Sequence, residues 1–331
     1  MEKRILGKSN IGVSPLGLGC WPIGGPFYGG GTNFGYSRSN DDESIKALKQ
    51  AVDLGITFFD TSSNYGAGHS EYLLGKAFAG IRNNLVIATK FGFVFDEATK
   101  ESTGAAYSPE FIRFSCEESL RRLNTDYIDL FQLHLGFIPF EDAALVFETL
   151  TALKKEGKIR AYGWSTDNAD SREFMIRRTN AVAIQHQYNL FINSDEIIAD
   201  CEKYNLASIN RSPLAMGILG GNYTRTNTPL GPDDIRGNNI DWNFYFHDGL
   251  PNAGLIRELD NIREVLCSNG RSVAQGALAW LWAKSSKTIP IPGFRTVDQV
   301  KDLAKAMEFG PLSKEQVRQI DSIAGNIKIV E

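Results

Sequence analysis

Three apolar segments of the sequence each end on an ionisable residue. Asp60 follows ITFF, Lys90 follows LVIAT and His134 follows IDLFQL, and Tyr65 lies in the loop just after Asp60. A tyrosine ionises near pH ~10, and an ammonium group beside it favours the phenolate and lowers its pKa. A carboxylate facing the ammonium would hold it in place, and a histidine nearby could hydrogen-bond a carbonyl oxygen or assist its proton transfer. Together these residue types can protonate an oxygen that develops negative charge, as carbonyl reduction requires.

Each of the four residues also has a structural interpretation. Asp60 could cap a helix, Lys90 could be a charge at the rim, His134 could be a hydrogen-bonded core residue, and Tyr65 could be an ordinary loop tyrosine. Enolisation needs similar groups, so the residues alone leave an isomerase open beside a carbonyl reductase. Their common position after buried runs favours chemistry, because strand ends form the active site of a (β/α)₈ barrel.

The elements that would position these residues alternate between short apolar runs and amphipathic helices. Several runs are apolar throughout, which is typical of parallel strands buried on both faces. Strands are predicted at 16–19, 56–60, 85–90, 128–134, 159–165, 182–185, 207–210 and 288–291. Helices are predicted at 41–54, 109–123, 140–155, 255–266 and 296–307. Helix starts are indicated by Asp41 or Asp42, by Ser108-Pro109 and by Ser194-Asp195.

This order predicts an α/β fold, a (β/α)₈ TIM barrel, with a doubly wound sheet as the competing architecture. The number of strands and the absence of a linker favour one barrel domain over residues 1–331. An N-terminal β-hairpin is predicted with its turn at 8–10. Long loops at 24–40 and 223–254 are expected at the C-terminal face of the barrel, because long loops in compact domains are usually functional.

Composition limits the possible classes of protein. Lys+Arg 35 against Asp+Glu 39 gives a net charge of −4 over 331 residues, which argues against nucleic-acid and membrane partners. No apolar run is long enough for a membrane span, and no signal peptide is evident. The four cysteines are far apart without metal-ligand spacing, so we expect reduced thiols in a cytoplasmic protein with no metal. The oligomeric state is left open.

Several common motifs are missing. The sequence has no GxGxxG, GxxxxGK[ST] or HExxH, and the segment Gly163-Trp-Ser165-Thr-Asp167 lacks the last glycine of a nucleophile elbow. A Rossmann domain, a phosphate-loop NTPase, a zinc protease and an α/β-hydrolase are therefore disfavoured.

Longer segments around the four polar residues resemble the aldo-keto reductase superfamily. FFDTSSNYGAGHSEYLLGKA is similar to its signature after the second strand, ATKFG to its lysine motif and YIDLFQLH to its histidine motif. The resemblance continues through GWS (163–165), IQHQYNLF (184–191), SPLAMGILGG (212–221) and IPG-R----Q (291–299). It implies a barrel that binds NADP(H), with NAD(H) less expected, without a Rossmann domain. It also implies that Tyr65 is the general acid/base, that Lys90 and Asp60 tune it, and that His134 orients the carbonyl.

The resemblance further implies which residues hold the nicotinamide. Trp21 would lie beside the ring, and Ser165 and Gln185 would hydrogen-bond the carboxamide. Arg211 stands where many members place an aromatic that stacks on the ring, and its guanidinium can also stack. Thr166 replaces a common asparagine and would offer the carboxamide only a hydroxyl.

The rest of the cofactor is assigned by the same resemblance. The segment under the pyrophosphate would be Ser212, Leu214 and Gly217. The adenosine 2′-phosphate end would be Gly293, Arg295 and Gln299. A helix opens there at Thr296, where free N–H groups would favour an anion. Leu303 occupies a position that usually holds an adenine-contacting asparagine.

The leading hypothesis is an NADP(H)-dependent oxidoreductase of aldehyde, ketone or aldose carbonyls, and neither the substrate nor the direction is fixed. The expected pocket walls are Trp21, Phe27, Tyr28, Phe93, Phe95 and the loop 242–246. The alternative is a cofactor-binding regulatory subunit with little turnover, because SPLAMGILGG is also similar to potassium-channel beta subunits.

Overall fold

The computed structural model describes residues 1–223 and 228–324, so four residues of the predicted 223–254 loop and the C-terminal end of the predicted domain lie outside it. Eight strands form one parallel sheet in which neighbours follow chain order. They are β1 (Gly17–Gly19), β2 (Phe58–Asp60), β3 (Val86–Phe91), β4 (Ile128–Leu133), β5 (Ile159–Ser165), β6 (Ala183–Gln187), β7 (Ala207–Arg211) and β8 (Thr288–Pro290). The backbone N–H of Gly19 donates to the carbonyl of Pro292 at 2.9 Å, which joins the first strand to the end of the last. The predicted (β/α)₈ barrel is therefore confirmed over the doubly wound sheet.

Strand β1 needs glycine at two positions, because its neighbours β2 and β8 approach it closely where the barrel closes. A Cβ on Gly19 would lie 2.7 Å from the carbonyl oxygen of Ile291, and one on Gly17 would lie 2.5 Å from the ring of Phe58. Both distances are shorter than real contacts allow, so the two glycines permit β1 to lie between β2 and β8.

Helices pack outside the sheet. They are α1 (Asp41–Asp53), α2 (His69–Ala77), α3 (Pro109–Leu123), α4 (Phe140–Lys155), α5 (Ala169–Arg178), α6 (Asp195–Tyr204), α7 (Ala253–Leu266), α8 (Val273–Lys284), α9 (Val297–Phe309) and α10 (Lys314–Ala324). Shorter helical turns span Trp21–Gly24, Arg82–Asn84, Ala215–Gly220, Ile235–Gly237 and Ser268–Gly270. No helix in the described ranges is both long and apolar enough to cross a membrane.

Side chains at the helix starts satisfy backbone N–H groups that have no partner within the helix. The Asn40 side chain accepts from the N–H of Glu43, and the Ser108 hydroxyl accepts from the N–H of Phe111. Gly55, with a φ of 85°, follows the last turn of α1, where a left-handed residue commonly ends a helix. Predicted helix bounds agree with the structure to within about two residues.

Alternation along the strands decides which side chains fill the barrel. Successive residues of a strand point to opposite faces, and one face of each strand from β2 to β8 contributes to a single apolar cluster inside the sheet. The inward residues of the central layer are Phe58, Ala88, Leu130, Ala161, Ala183, Ile209 and Ile289. Two positions further along each strand, the same alternation places Asp60, Lys90, Gln132, Gly163, Gln185 and Arg211 on the inward face at the carboxyl ends. The strand pattern itself thus gathers these groups at one end.

The predicted N-terminal hairpin is confirmed, and it closes the other end of the barrel. Strands Arg4–Ile5 and Gly12–Val13 pair antiparallel. Leu6, Ile11 and Val13 join the apolar cluster inside the barrel. Gly7 has φ of 52°, and a Cβ there would lie 2.1 Å from the carbonyl oxygen of Val182, so only glycine fits this approach.

Loops at the carboxyl ends of the strands are joined to one another. Three small hairpins lie in these loops: Tyr28–Gly29 with Thr32–Asn33, Phe93–Phe95 with Ser102–Ala105, and Phe246–His247 with Leu250–Pro251. The N–H of Tyr28 donates to the carbonyl of Lys100 at 2.8 Å, which links the first two. The N–H of Ile235 donates to the carbonyl of Gly35 at 2.8 Å, which links the first hairpin to the long loop after β7.

Candidate active site

The buried ammonium of Lys90, near the end of β3, links Asp60 at the end of β2 to Tyr65 in the loop that follows. Its Nζ donates to Asp60 Oδ1 at 2.6 Å, to the carbonyl of Thr61 at 2.7 Å and to the Tyr65 hydroxyl at 3.2 Å. Lys90 and Asp60 are almost fully buried. The ammonium therefore has its three donors satisfied, one of them by the tyrosine oxygen.

Two amides support the carboxylate from the barrel interior. Gln185 Nε2 donates to Asp60 Oδ2 at 2.7 Å and Gln132 Nε2 donates to the same oxygen at 3.3 Å. A buried carboxylate is tolerable when it is paired and hydrogen-bonded. Gln185 was expected to bind the nicotinamide carboxamide; one N–H of its amide is engaged by Asp60, which leaves its second N–H and its carbonyl oxygen for a ligand.

Burial and charge set the protonation of Lys90 and Tyr65. Burial lowers the pKa of the Lys90 ammonium, but Asp60 and Tyr65 more than offset it, so the pKa lies above its ordinary value. Burial raises the pKa of Tyr65, and the opposing effect of Lys90 is smaller. The sequence-based expectation that Tyr65 would have a lowered pKa is thus wrong in its net direction, although the effect of Lys90 has the expected sign.

His134 stands beside the tyrosine. Its ring lies 5.9 Å from that of Tyr65 and 5.2 Å from that of Phe93, edge to face with both. Its Nδ1 lies 3.0 Å from the hydroxyl of Ser62. Burial lowers the pKa of His134 well below its usual value, and Lys90 and Arg211 lower it further, so the imidazole is neutral near pH 7.

A single cavity of about 960 Å³ opens above these residues. Asp60, Tyr65 and His134 line it, while Lys90 lies behind them. All the residues predicted to bind the cofactor also line it: Trp21, Ser165, Gln185, Arg211, Ser212, Leu214, Gly217, Gly293, Arg295 and Gln299. Its size is at the upper end of the range for ligand sites, which suits an extended dinucleotide and a substrate together.

The end of the cavity where the nicotinamide is expected combines an aromatic wall with polar groups. The Trp21 ring stacks on Tyr65 with centroids 5.7 Å apart. The Ser165 hydroxyl makes no side-chain hydrogen bond within the described ranges and is open to a ligand. Thr166 was expected to offer its hydroxyl, but its Oγ1 donates to the carbonyl of Gly136 at 2.5 Å and accepts from the N–H of Asn168 at 2.9 Å. Its hydroxyl proton is therefore taken by the neighbouring loop after β4.

Arg211 forms an ion pair at the cavity edge. Its guanidinium contacts the carboxylate of Asp167, whose other oxygen accepts from the N–H of Gln187 at 2.7 Å. Both Arg211 and Asp167 line the cavity. Arg211 therefore places a guanidinium, whose charge is largely balanced by Asp167, at the position where the resemblance implies that many family members carry an aromatic ring.

The far end carries the predicted phosphate-reading arginine. Arg295 donates from Nη1 to the Ser37 hydroxyl at 3.0 Å, and from Nη2 to the carbonyls of Ser37 and Arg38 at 2.7 and 2.8 Å. The Gln299 side chain accepts from the N–H of Arg295 at 2.7 Å. The guanidinium is thus held beside the cavity by the loop before α1.

The expectation of free N–H groups at this end is wrong in part, and Leu303 does not line the cavity. The first-turn N–H groups of α9 are not all free: that of Val297 donates to Glu43 Oε1 at 2.9 Å and that of Gln299 to the Thr296 hydroxyl at 3.3 Å. Leu303 lies outside the site, because it is buried in the core between helices and sheet.

The expected substrate walls are partly correct. Trp21, Phe27, Phe93, Trp242 and Tyr245 line the cavity. Tyr28, Phe95 and Phe246 do not; the Phe95 ring packs against the guanidinium of Arg122 and the Phe246 ring against Tyr223.

Sequence reasoning missed several residues around the site. Gln132 shares the inward face with Leu130 and His134, so its two-residue spacing from His134 could have revealed it. Ser62 and Asn64 lie in the same loop as Tyr65 and had no distinguishing pattern. Arg236 lines the cavity and is bound to Asp234 on the long loop after β7, where sequence offers no periodic signal.

Fold and site together define a barrel oxidoreductase with a tyrosine, lysine, aspartate and histidine at its mouth. The model of the Aldo/keto reductase family matches residues 15–325, and this chain belongs to that family. The resemblance seen in the motifs is therefore confirmed, and with it the class of enzyme, an aldo-keto reductase.

Relatives match along the whole chain. Aldo-keto reductase YhdN of Bacillus subtilis (strain 168) is 30% identical over 334 residues, covering 98% of this chain and 94% of its own. The holo form of aldo-keto reductase AKR11C1 from Bacillus halodurans is 28% identical with a TM-score of 0.79, covering 100% of this chain and 99% of its own. An aldo-keto reductase from Klebsiella pneumoniae in complex with NADPH is 25% identical with a TM-score of 0.72, covering 99% of this chain and 97% of its own.

Proposed function

We propose that this protein is an NADP(H)-dependent oxidoreductase that reduces aldehyde, ketone or aldose carbonyls, or oxidises the matching alcohols in reverse. The observation that carries the proposal is the buried Asp60–Lys90–Tyr65 chain, which ends in the cavity that the cofactor residues line. The NADPH complex of the Klebsiella pneumoniae relative supports the choice of cofactor.

Tyr65 is the general acid for reduction. Its raised pKa keeps the phenol protonated near neutrality, so it holds the proton that a carbonyl oxygen needs as negative charge develops. Lys90 stabilises the phenolate that remains, because its ammonium donates to the Tyr65 oxygen and stays charged opposite Asp60. His134 orients the substrate beside the phenol. Trp21 and Trp242, with ring centroids 6.5 Å apart, give the site an aromatic wall.

The residues of the cavity are suited to hold the cofactor along its length. Ser165 and the carbonyl oxygen of Gln185 face the nicotinamide end, and the 212–217 segment would pass under the pyrophosphate. Arg295 would read the 2′-phosphate, which favours NADP(H) over NAD(H). When bound, the nicotinamide supplies the hydride for the carbonyl carbon.

The test is turnover by the purified protein, followed by NADPH and NADH absorbance with aldehydes, ketones and aldoses. Tyr65→Phe keeps the ring but removes the proton, so we expect reduction to fall by ~10²–10⁴-fold while NADPH binding is nearly unchanged. Tyr72→Phe, at an exposed position on α2, is the matched control and should retain full activity. More than half of the activity surviving in Tyr65→Phe would remove Tyr65 from the mechanism. Tight NADPH binding by wild type without turnover would favour the regulatory alternative.

A further inference from the structure

The guanidinium of Arg211 lies at the barrel mouth with a carboxylate beside it. Arg211 is the last residue of β7, and in the parallel sheet it is paired with Gln187, the last residue of β6. Its guanidinium contacts Oδ2 of Asp167, which follows β5, and Oδ1 of the same carboxylate accepts from the N–H of Gln187 at 2.7 Å. All three residues line the cavity. The carboxylate is therefore held by the sheet on one side and by the arginine on the other.

The charge of Arg211 acts on the residues that would handle the substrate. Burial is the largest influence on the pKa of Tyr65 and on that of His134, and Arg211 adds a smaller lowering effect to both. Because the Coulomb energy falls with distance, the guanidinium must stand near both groups. Tyr65 can protonate a carbonyl oxygen during reduction only while the carbon of that carbonyl lies ~3–3.5 Å from the hydride donor. The nicotinamide ring must therefore bind within the field of Arg211.

The two forms of the cofactor differ by one charge at this place. The nicotinamide ring is neutral in NADPH and positively charged in NADP⁺, whereas the phosphates are the same in both. An unpaired guanidinium near the ring would repel the oxidised form and leave the reduced form unaffected. The affinity for NADP⁺ relative to NADPH therefore measures the net charge of this part of the cavity.

Two ion pairs keep the barrel mouth close to neutral around Tyr65. Lys90 is paired with Asp60 at 2.6 Å, and Arg211 is paired with Asp167. The first pair is almost fully buried, whereas the side chains of Arg211 and Asp167 are 36% and 43% exposed, so solvent partly screens the second pair. Removal of the carboxylate of Asp167 would leave one net positive charge where the ring has to bind.

We propose that Asp167 is a positioning residue that allows the oxidised cofactor to bind: its carboxylate holds Arg211 and balances its charge, so that the site accepts the positive ring of NADP⁺ as well as the neutral ring of NADPH. This inference rests on the proposed function. Asp167 acts through Arg211 and takes no part in the transfer of the proton or the hydride. Its charge therefore contributes to alcohol oxidation, which begins from NADP⁺, more than to carbonyl reduction.

The test is the pair of dissociation constants for NADP⁺ and NADPH, measured by calorimetry on the purified protein without substrate at low ionic strength. Asp167→Asn keeps an oxygen that can accept from the N–H of Gln187 but removes the charge. We expect the ratio of the dissociation constant of NADP⁺ to that of NADPH to rise about three- to tenfold, as one partly screened unit charge implies. The rise should shrink in ~1 M salt, where the Debye length is only ~3 Å.

Two further variants identify the origin of the rise. Asp167→Asn combined with Arg211→Gln removes both charges, so its ratio should return to within about twofold of wild type. Asp170→Asn makes the same change of charge at an exposed position in the first turn of α5. Asp170 is not among the described residues that line the cavity, so this control should keep the wild-type ratio.

Steady-state kinetics give a second measurement. In Asp167→Asn the KM for NADP⁺ in alcohol oxidation should rise by the same factor as the ratio of dissociation constants, while the KM for NADPH in carbonyl reduction stays near the wild-type value. A residue that only stabilised the fold would change both values together.

The outcomes that overturn the inference are specific. An unchanged ratio in Asp167→Asn, including an equal loss of both forms, would give Asp167 a structural role. A raised ratio that persists when Arg211 is also replaced would show that Asp167 does not act through Arg211. Failure of the wild type to bind either form would instead refute the proposed function and the inference with it. Binding of both forms without turnover would refute only the reaction, and the ratio would still decide the role of Asp167.

Discussion

At the scale of single residues, burial and charge act on Tyr65 in opposite directions. Burial raises its pKa, and Lys90, 3.2 Å from the phenol oxygen, opposes this rise. The sequence could suggest an ammonium beside the phenol, because Lys90 and Tyr65 follow neighbouring strands. It could not give the degree of burial, which depends on how the loops after β1 and β3 cover the barrel mouth.

Replacing Lys90 by Met should move the pH dependence of alcohol oxidation upward. Oxidation needs the phenolate, and removing the ammonium removes the charge that lowers the pKa of Tyr65. The measurement is kcat/KM for oxidation against pH, with the exposed Lys76→Met as control. A profile that coincides with wild type at measurable turnover would give Lys90 a purely structural role.

Replacing Arg295 by Ala should weaken the binding of NADPH and leave the binding of NADH almost unchanged. A charge-assisted hydrogen bond contributes ~1.5–3 kcal/mol, so the loss should be about ten- to a hundredfold in Kd. Both dissociation constants are measured for wild type, for the variant and for the exposed Arg257→Ala on α7. Equal losses for the two cofactors would show that Arg295 does not read the phosphate.

At the scale of elements, strand alternation explains how much of the site was predictable. Buried runs such as LVIAT fix both the strand and its inward face, so Asp60 and Lys90 had to meet at the carboxyl ends. Residues whose role depends on loop geometry were harder to predict. Thr166 turns its hydroxyl to Gly136, and Arg236 is held over the cavity by Asp234, neither of which follows from spacing.

Helix packing explains what the sequence could not show at the phosphate end. Leu303 lies on the face of α9 that packs into the core, where an amphipathic pattern puts it. The N–H of Val297 is taken by Glu43 because α1 and α9 pack side by side, a contact between residues far apart in the chain. A motif match shows where a residue stands along the chain, but it does not show which residues of other helices pack against it.

Replacing Gly19 by Ala should destabilise the barrel at its closing seam. The new Cβ would lie 2.7 Å from a backbone carbonyl that cannot move without disturbing β8, and overpacking of this kind is worth ~1–3 kcal/mol. Chemical denaturation measures the free energy of unfolding. Gly220→Ala, where nothing lies within 4 Å of the added atom and no unusual φ is needed, should be near neutral. Similar stabilities of the two variants would mean that the seam tolerates a side chain.

At the scale of the whole molecule, a buried histidine links stability to pH. His186 lies on β6 with Nε2 2.7 Å from the hydroxyl of Ser208 on β7, and burial lowers its pKa from 6.5 to about 3. The unfolded chain binds this proton below about pH 6.5 and the native protein does not. The contribution of His186 to stability is therefore complete above pH 6.5 and is lost as the pH decreases toward 3.

Replacing His186 by Gln should flatten this dependence. Between pH 6.5 and 4.5, protonation of His186 in the unfolded chain should lower the free energy of unfolding of wild type by about 2–3 kcal/mol. The variant should not show this part of the decrease. Urea denaturation at several pH values measures the slope, with the exposed His247→Gln as control. Parallel slopes for wild type and His186→Gln would assign the acid sensitivity to other groups.

The hydrogen bond that closes the barrel has a consequence for synthesis of the chain. Gly19 meets Pro292, so the first barrel strand keeps one edge unpaired until almost the entire polypeptide has left the ribosome. At ~5–20 residues per second this interval is about 14–55 s. Throughout it, β1 offers an open backbone edge to any neighbouring nascent chain. Slower translation of the last part of the message should therefore increase aggregation, whereas slower translation of the first few codons should not.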